Sequence, residues 1–171
     1  MVRLILRVLM GTLFMGHGLQ KLRGWFGGYG LEGTGQYFES LGLRPGKRHA
    51  TVAGAAETAG GALLALGFLT PVASAALIGT MATAVKTVHL EKGPWVSEGG
   101  WEYNAVVIAA LAALTETGPG ALSLDRSIGT ELSGPFWALA ALAAGLGGAA
   151  ANLATTQDEP QTVASAPADV R

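Results

Sequence analysis

The sequence predicts an all-α membrane protein: a transmembrane four-helix bundle with a candidate fifth C-terminal transmembrane helix. Three observations carry this. Half of the 171 residues are hydrophobic and only 13% are charged, against about 25% in soluble domains. No Asp, Glu, Lys or Arg occurs over residues 58–85 or 132–157, and both gaps exceed the roughly 20 apolar residues that cross a bilayer as a helix. A buried helix of a soluble protein keeps a charged face, yet residues 71–85 offer only Ser74, Thr80 and Thr83.

The elements follow in order. Span 1 covers residues 3–22, roughly 30 Å of helix at about 1.5 Å per residue. Arg3 and Arg7, an apolar run and Gly16-x-Gly18 also outline a signal peptide, but cleavage there would remove only the first of several spans. A connection rich in glycine and aromatics follows, over residues 23–49. Within it "GTGQYFESLGL" places Tyr37, Phe38 and Leu41 on one side after a Thr34 cap, which fits an interfacial helix or a plain loop. Span 2 covers residues 50–68. Gly67 ends it and Pro71 opens span 3, which runs over residues 71–90. "EKGPWVSEGG" is a polar loop, span 4 covers residues 101–117, and "TGPGALSLD" ends it. These spans form a unit over residues 1–125. Residues 135–154 are the candidate fifth span, the weakest because Ala and Gly contribute little insertion free energy. Residues 155–171 read as a disordered polar tail.

Small residues three or four apart let helix backbones approach in lipid. Gly54, Thr58, Gly61 and Ala65 line one side of span 2, and Ala75, Gly79 and Ala82 one side of span 3. Because consecutive spans form hairpins, the ends of spans 1 and 3 and the starts of spans 2 and 4 share a membrane side. His17, Gln20, Lys21, Glu57, Lys86, His89, Glu102 and Tyr103 therefore gather toward one face of the bundle. Lys86 and His89 continue the small-residue stripe of span 3 and are expected to point inward. Glu57 is the most informative: a carboxylate in hydrocarbon must be protonated, paired or in water, and Lys21, Lys86, His17 and His89 are the available partners. Structural alternatives stand beside each reading. His17 can cap a helix end, the lysines can snorkel to the headgroups, Glu57 can serve in a structural ion pair, and Trp25, Trp95 and Trp101 can form an aromatic belt.

Several classes drop out. The net charge of −1 leaves no nucleic-acid footprint, and the absence of cysteine excludes thiol–disulfide chemistry within the chain. Carboxylate-bridged metal bundles use Glu-x-x-His pairs, which this sequence lacks, so no metal is expected. There is no dinucleotide fingerprint, P-loop or nucleophile elbow.

Taken in order, "GHGLQKLRGWFGG", "AGAAETAGGALLALGFLTP", "VHLEKG", "GGWEYN" and "GPGALSLD" resemble the DoxX family over residues 3–125. The resemblance implies a four-helix bundle, multi-pass in the bacterial plasma membrane. Its name comes from a membrane subunit associated with quinone-linked sulfur oxidation, and many members are labelled oxidoreductases. By match to these motifs, His17, Gln20, Lys21, Glu57, His89, Glu102 and Tyr103 occupy the family's characteristic polar positions. The fifth span and the tail lie outside the family core.

The expected function is that of a membrane subunit holding a quinone in the polar pocket and taking electrons from a partner oxidoreductase. Glu57, His17, His89 and Glu102 are the candidate catalytic groups, relaying protons. Gln20, Lys21, Trp25, Phe26, Lys86 and Tyr103 are the candidate quinone-binding groups. One alternative is a scaffold that anchors soluble redox or sulfur-handling enzymes through residues 23–49 and 90–100. Another is a small transporter or lipid-handling protein, against which the lack of an inverted repeat counts. In a five-span arrangement Lys21, Arg23, Arg44, Lys47, Arg48, Lys86, Lys92 and Arg171 lie on the pocket side, and Arg3, Arg7 and Arg126 opposite. Counting favours a cytoplasmic pocket, although Arg3 and Arg7 flank the first helix.

Overall fold

A computed structural model describes residues 1–156; the expected tail lies, from residue 157 on, outside them. The described residues are helical throughout, joined by turns. They form α1 (Val2–Arg23), α2 (Gly30–Ser40), α3 (Gly46–Leu66), α4 (Thr70–Ala84), α5 (Glu102–Thr117), α6 (Leu124–Ile128) and α7 (Pro135–Ala154). We call the end holding the α1–α3 and α4–α5 connections the upper end, and the end holding the α3–α4 turn the lower end.

Three helices are long and apolar enough to cross a membrane: Val2–Arg23, Thr70–Lys92 and Pro135–Ala154. The second is α4 extended by a wide π turn, Val85–His89, and a 3-10 turn, Leu90–Lys92. α3 is long enough at 21 residues but carries Lys47, Arg48 and Glu57, whereas α5 has only 16 residues, about 24 Å. α7, which sequence reading ranks weakest, is thus among the most membrane-like helices. Length and freedom from charge outweigh the small contribution of each alanine. The interfacial helix exists, but Thr34 does not cap it. Gly30, at φ 66°, lets the chain turn into α2 a full turn earlier, and Thr34 is buried inside it.

Glycines set the packing. A Cβ on Gly11 of α1 would stand 2.5 Å from the Gly61 carbonyl oxygen of α3, and one on Gly61 would stand 2.5 Å from that of Gly11. The two backbones touch, and no larger residue fits. The small face of α4 meets α7, where a Cβ on Gly145 would stand 2.7 Å from the Ala75 carbonyl oxygen. Between these pairs lies a core of Phe14, Leu64, Leu77, Ile78, Leu111 and Leu114. The Thr115 hydroxyl donates to Ser74 at 2.8 Å, joining α5 to α4.

The lower end is locked by two buried charges. Asp125 accepts from the Leu69 and Thr70 amides at 2.9 and 3.1 Å and from the Thr70 hydroxyl at 3.0 Å. It caps α4, whose first amides have no partner within the helix and favour a negative charge. The Arg7 guanidinium donates to the carbonyls of Ala65, at the end of α3, and Leu122, placing a cation at a helix C-terminus. Arg7 is therefore built into the bundle and does not flank it.

Two outcomes are expected. Gly61→Val abolishes folded protein while Gly16→Ala, where a Cβ meets nothing within 4 Å, is tolerated; membrane abundance and monodispersity after extraction test this. Asp125→Ala leaves buried amides unpartnered, at a cost of about 1–3 kcal/mol each, and lowers the melting temperature of the purified protein.

Candidate functional site

A cavity of about 700 Å³ opens at the upper end, within the range of small-molecule sites, about 300–1,000 Å³. Its walls come from α1, α2, α3, α4, the α4–α5 loop, α5 and α7. Most of the lining is Ala, Gly, Val and aromatic; the polar groups are few and specific.

Glu57 anchors the site. It lies about three turns into α3, is only 5% exposed, and accepts from Lys21 Nζ at 2.6 Å. Close approach of α1 and α3 at Gly18 makes this reach possible, since a Cβ there would stand 2.6 Å from the Gly54 carbonyl oxygen. Lys21 folds back along its own helix, with Nζ 3.5 Å from the His17 carbonyl oxygen. It runs inward to Glu57 and does not snorkel. The pair is close to neutral, which is how a carboxylate is tolerated at this depth.

All three histidines of the chain line the cavity. His17 is exposed, with Nδ1 2.9 Å from Gln20 Oε1. His89 Nδ1 lies 2.6 Å from the Gly99 carbonyl oxygen, which can only accept, so Nδ1 carries the proton and neutral His89 keeps Nε2 as its acceptor. His49, given no role by sequence reading, is 1% exposed and sits one and two turns before Ala53 and Glu57 on the same wall. Its Nδ1 lies 3.1 Å from Asn152 Oδ1 of α7, and its Nε2 lies 3.4 Å from the Arg44 carbonyl oxygen. Spacing of eight residues from Glu57 was the available signal. Asn104, buried on α5, and Thr80, Thr83 and Thr87 along α4 and its extension add further polar groups.

Of the predicted site residues, the structure brings His17, Lys21, Glu57, His89 and Tyr103 together on the cavity wall and leaves five off it. Lys86 is exposed and off the wall, so the expected inward stripe breaks. The π turn is the reason: its wider winding stops residues three apart from returning to one face. Glu102 accepts from the Val96 amide at 2.9 Å and braces the loop. Gln20 donates to the Phe26 carbonyl at 3.3 Å, pinning the turn after α1. Trp25 and Phe26 are 56% and 72% exposed and face away from the cavity. The aromatic wall is instead Tyr37 and Phe38 of α2 with Tyr103 of α5. Among the described residues, no three His, Asp or Glu side chains are placed to hold a metal ion.

Helices built to cross a bilayer, closed by glycine contacts around an amphiphilic cavity with a buried Lys–Glu pair, define a multi-helix membrane protein with an internal cavity. The DoxX family model matches residues 2–90, and the chain belongs to the DoxX family. It is 35% identical over 122 residues to "Putative oxidoreductase CatD" of Bacillus subtilis (strain 168), covering 71% of this chain and 83% of that protein. It is 33% identical over 133 residues to "Inner membrane protein YphA" of Escherichia coli (strain K12), covering 72% and 87% respectively. No solved structure matches. The matched residues 2–90 include His17, Lys21, His49, Glu57 and His89; α5 and α7 lie beyond them.

Removing one partner of a buried ion pair costs about 3–5 kcal/mol, whereas replacing both is far milder. Lys21→Met alone is expected to destabilise the protein by that order, and Lys21→Met with Glu57→Gln to recover most of it. Melting of the four proteins of this double-mutant cycle measures the coupling.

Proposed function

We propose that this DoxX family protein is the membrane subunit of an oxidoreductase system, multi-pass in a bacterial plasma membrane, and that its cavity binds a quinone. The carrying observation is the Lys21–Glu57 pair, 2.6 Å apart, set into an otherwise largely apolar cavity. A quinone ring needs this combination: apolar walls for the ring and proton-exchanging groups at its carbonyls. The cavity volume and the aromatic wall residues Phe14, Tyr37, Phe38 and Tyr103 fit such a ring. A relative's name, "Putative oxidoreductase CatD", lends the reading support.

When bound, the quinone supplies two-electron, two-proton chemistry. The electrons come from a partner oxidoreductase, since the chain encodes no other carrier. Lys21 Nζ, held at the cavity wall by Glu57, would be placed to donate a hydrogen bond to a quinone oxygen. Glu57 holds the lysine in place and balances its charge. His89, oriented by the Gly99 carbonyl, and His17, exposed on α1 one turn before Lys21, would exchange protons with a ligand in the cavity. Arg23, Lys47, Arg48 and Lys92 crowd the upper end, whereas Arg7 below is buried in hydrogen bonds. That asymmetry supports a cytoplasmic cavity mouth.

Purified protein in nanodiscs is expected to bind a benzoquinone analogue saturably, and Lys21→Met with Glu57→Gln, the double replacement expected to recover most of the stability, to weaken that binding about tenfold. Absence of saturable binding to the unmodified protein would sink the quinone reading. It would favour a scaffold whose intramembrane charges are structural.

A further inference from the structure

The cavity is not closed on every side. α7 packs against α4 and α5 but not along α3, and it reaches α3 at the upper end, where Asn152 meets His49. Below that contact α3 and α7 stand apart over α4. Val52 and Ala56 of α3 form one side of the gap, Ala144 and Gly148 of α7 the other, and Val72 and Ala76 of α4 the floor; all of them line the cavity. Val52 is nevertheless 48% exposed and Val72 57%. Exposed positions below the ends of helices that cross a bilayer face lipid, so the cavity has a side opening toward the acyl chains.

The opening has the form of a groove. On each helix its residues recur one turn apart, so they share a face and line up along the axis. None is larger than valine, and a Cβ on Gly148 would meet nothing within 4 Å. Higher on α4 the hydroxyls of Thr80 and Thr83 both donate at 2.9 Å to carbonyls of their own helix, so their donors are already used. One charge marks the upper lip. Arg48 is exposed and stands one turn before Val52 on the same side of α3. The carboxylates around it are engaged elsewhere: Glu32 pairs with Lys47 at 2.6 Å, Glu39 accepts from the Gly46 amide at 3.0 Å, and Glu57 is held by Lys21. Among the described residues the Arg48 guanidinium has no acidic partner. In the first turn of α3 it lies at headgroup depth, where a phosphate can take both arms of its fork.

We infer that the groove between α3 and α7 binds one anionic phospholipid, its phosphate on Arg48 and one acyl chain between the two helices. Charge and shape select this occupant together: an uncompensated cation at the lip and an apolar channel running down from it match a negative head with a chain attached. The chain supplies the wall that the protein omits and separates the cavity from the bulk bilayer. This lipid site is independent of which ligand the inner cavity takes beside Lys21 and Glu57.

The test places full-length protein in nanodiscs of equal parts phosphatidylglycerol and phosphatidylcholine, extracts it in mild detergent and counts retained lipid by native mass spectrometry. The unmodified protein should keep one phospholipid and favour phosphatidylglycerol about fivefold, the effect of one basic residue on an anionic lipid. Arg48→Gln should abolish that preference. Arg23→Gln removes the same charge at the same end but on α1, off the groove, and should preserve it. Gly148→Leu should cut retention of either lipid about tenfold, as an overfilled site does. Gly147→Leu, whose Cβ is equally unobstructed but off the wall, should not, and both variants should stay monodisperse. Equal retention of the two lipids by the unmodified protein overturns the anionic headgroup, and equal loss of preference in the Arg48 and Arg23 variants overturns Arg48 as its seat. Unchanged retention in Gly148→Leu overturns the groove. Displacement of the lipid by palmitate at matching concentration overturns the phospholipid as occupant.

Discussion

The contact between the backbones of α1 and α3 is the constraint on which the site depends. Lipid supplies no hydrophobic force to press helices together, so the bundle relies on close packing. Gly11, Gly18, Gly54 and Gly61 provide it by leaving no Cβ where the two backbones touch. This proximity lets Lys21 turn back into the membrane and reach Glu57. With the helices farther apart, a carboxylate three turns into α3 would face hydrocarbon unpaired, at a cost of several kcal/mol. Packing and chemistry are therefore one problem here: the glycines fix a distance, and the distance makes the charge tolerable.

Buried charge is divided between the two ends of the bundle. At the lower end Arg7 and Asp125 satisfy the backbone of the α3–α4 hairpin and face no cavity. At the upper end Lys21 and Glu57 satisfy each other, and their remaining hydrogen-bonding capacity faces an open volume. A charge whose hydrogen bonds are taken up by the surrounding turns and helix ends makes architecture. A charge pair on a cavity wall is available for a ligand.

Much of this was readable in the residues. Hairpin connectivity alone places His17, Lys21, Glu57 and His89 at one end, and helical spacing correctly turns the small faces of α3 and α4 inward. What escaped reading has identifiable causes. Lys86 left the wall because a π turn broke the helical period, and nothing in the local residues announces such a turn. Glu102 and Gln20 were spent on loop amides and carbonyls, contacts set by tertiary placement. Phe26 adopts a positive φ of 52°, which aims the aromatic pair away from the cavity. His49 and Asn152 find each other over a separation of 103 residues, and a helix of alanine and glycine gave little reason to look for a pocket wall.

The α3–α4 hairpin is capped from outside itself, by a carboxylate far downstream. During synthesis the chain emerges N-terminus first, so α1, α3 and α4 are complete before Asp125 leaves the ribosome. Until then the amides of Leu69 and Thr70 must find water or lipid headgroups, and the hairpin's lower turn cannot settle deeply. Maturation of the bundle is thereby vectorial: helices enter in sequence, and the trailing segment fastens those that preceded it.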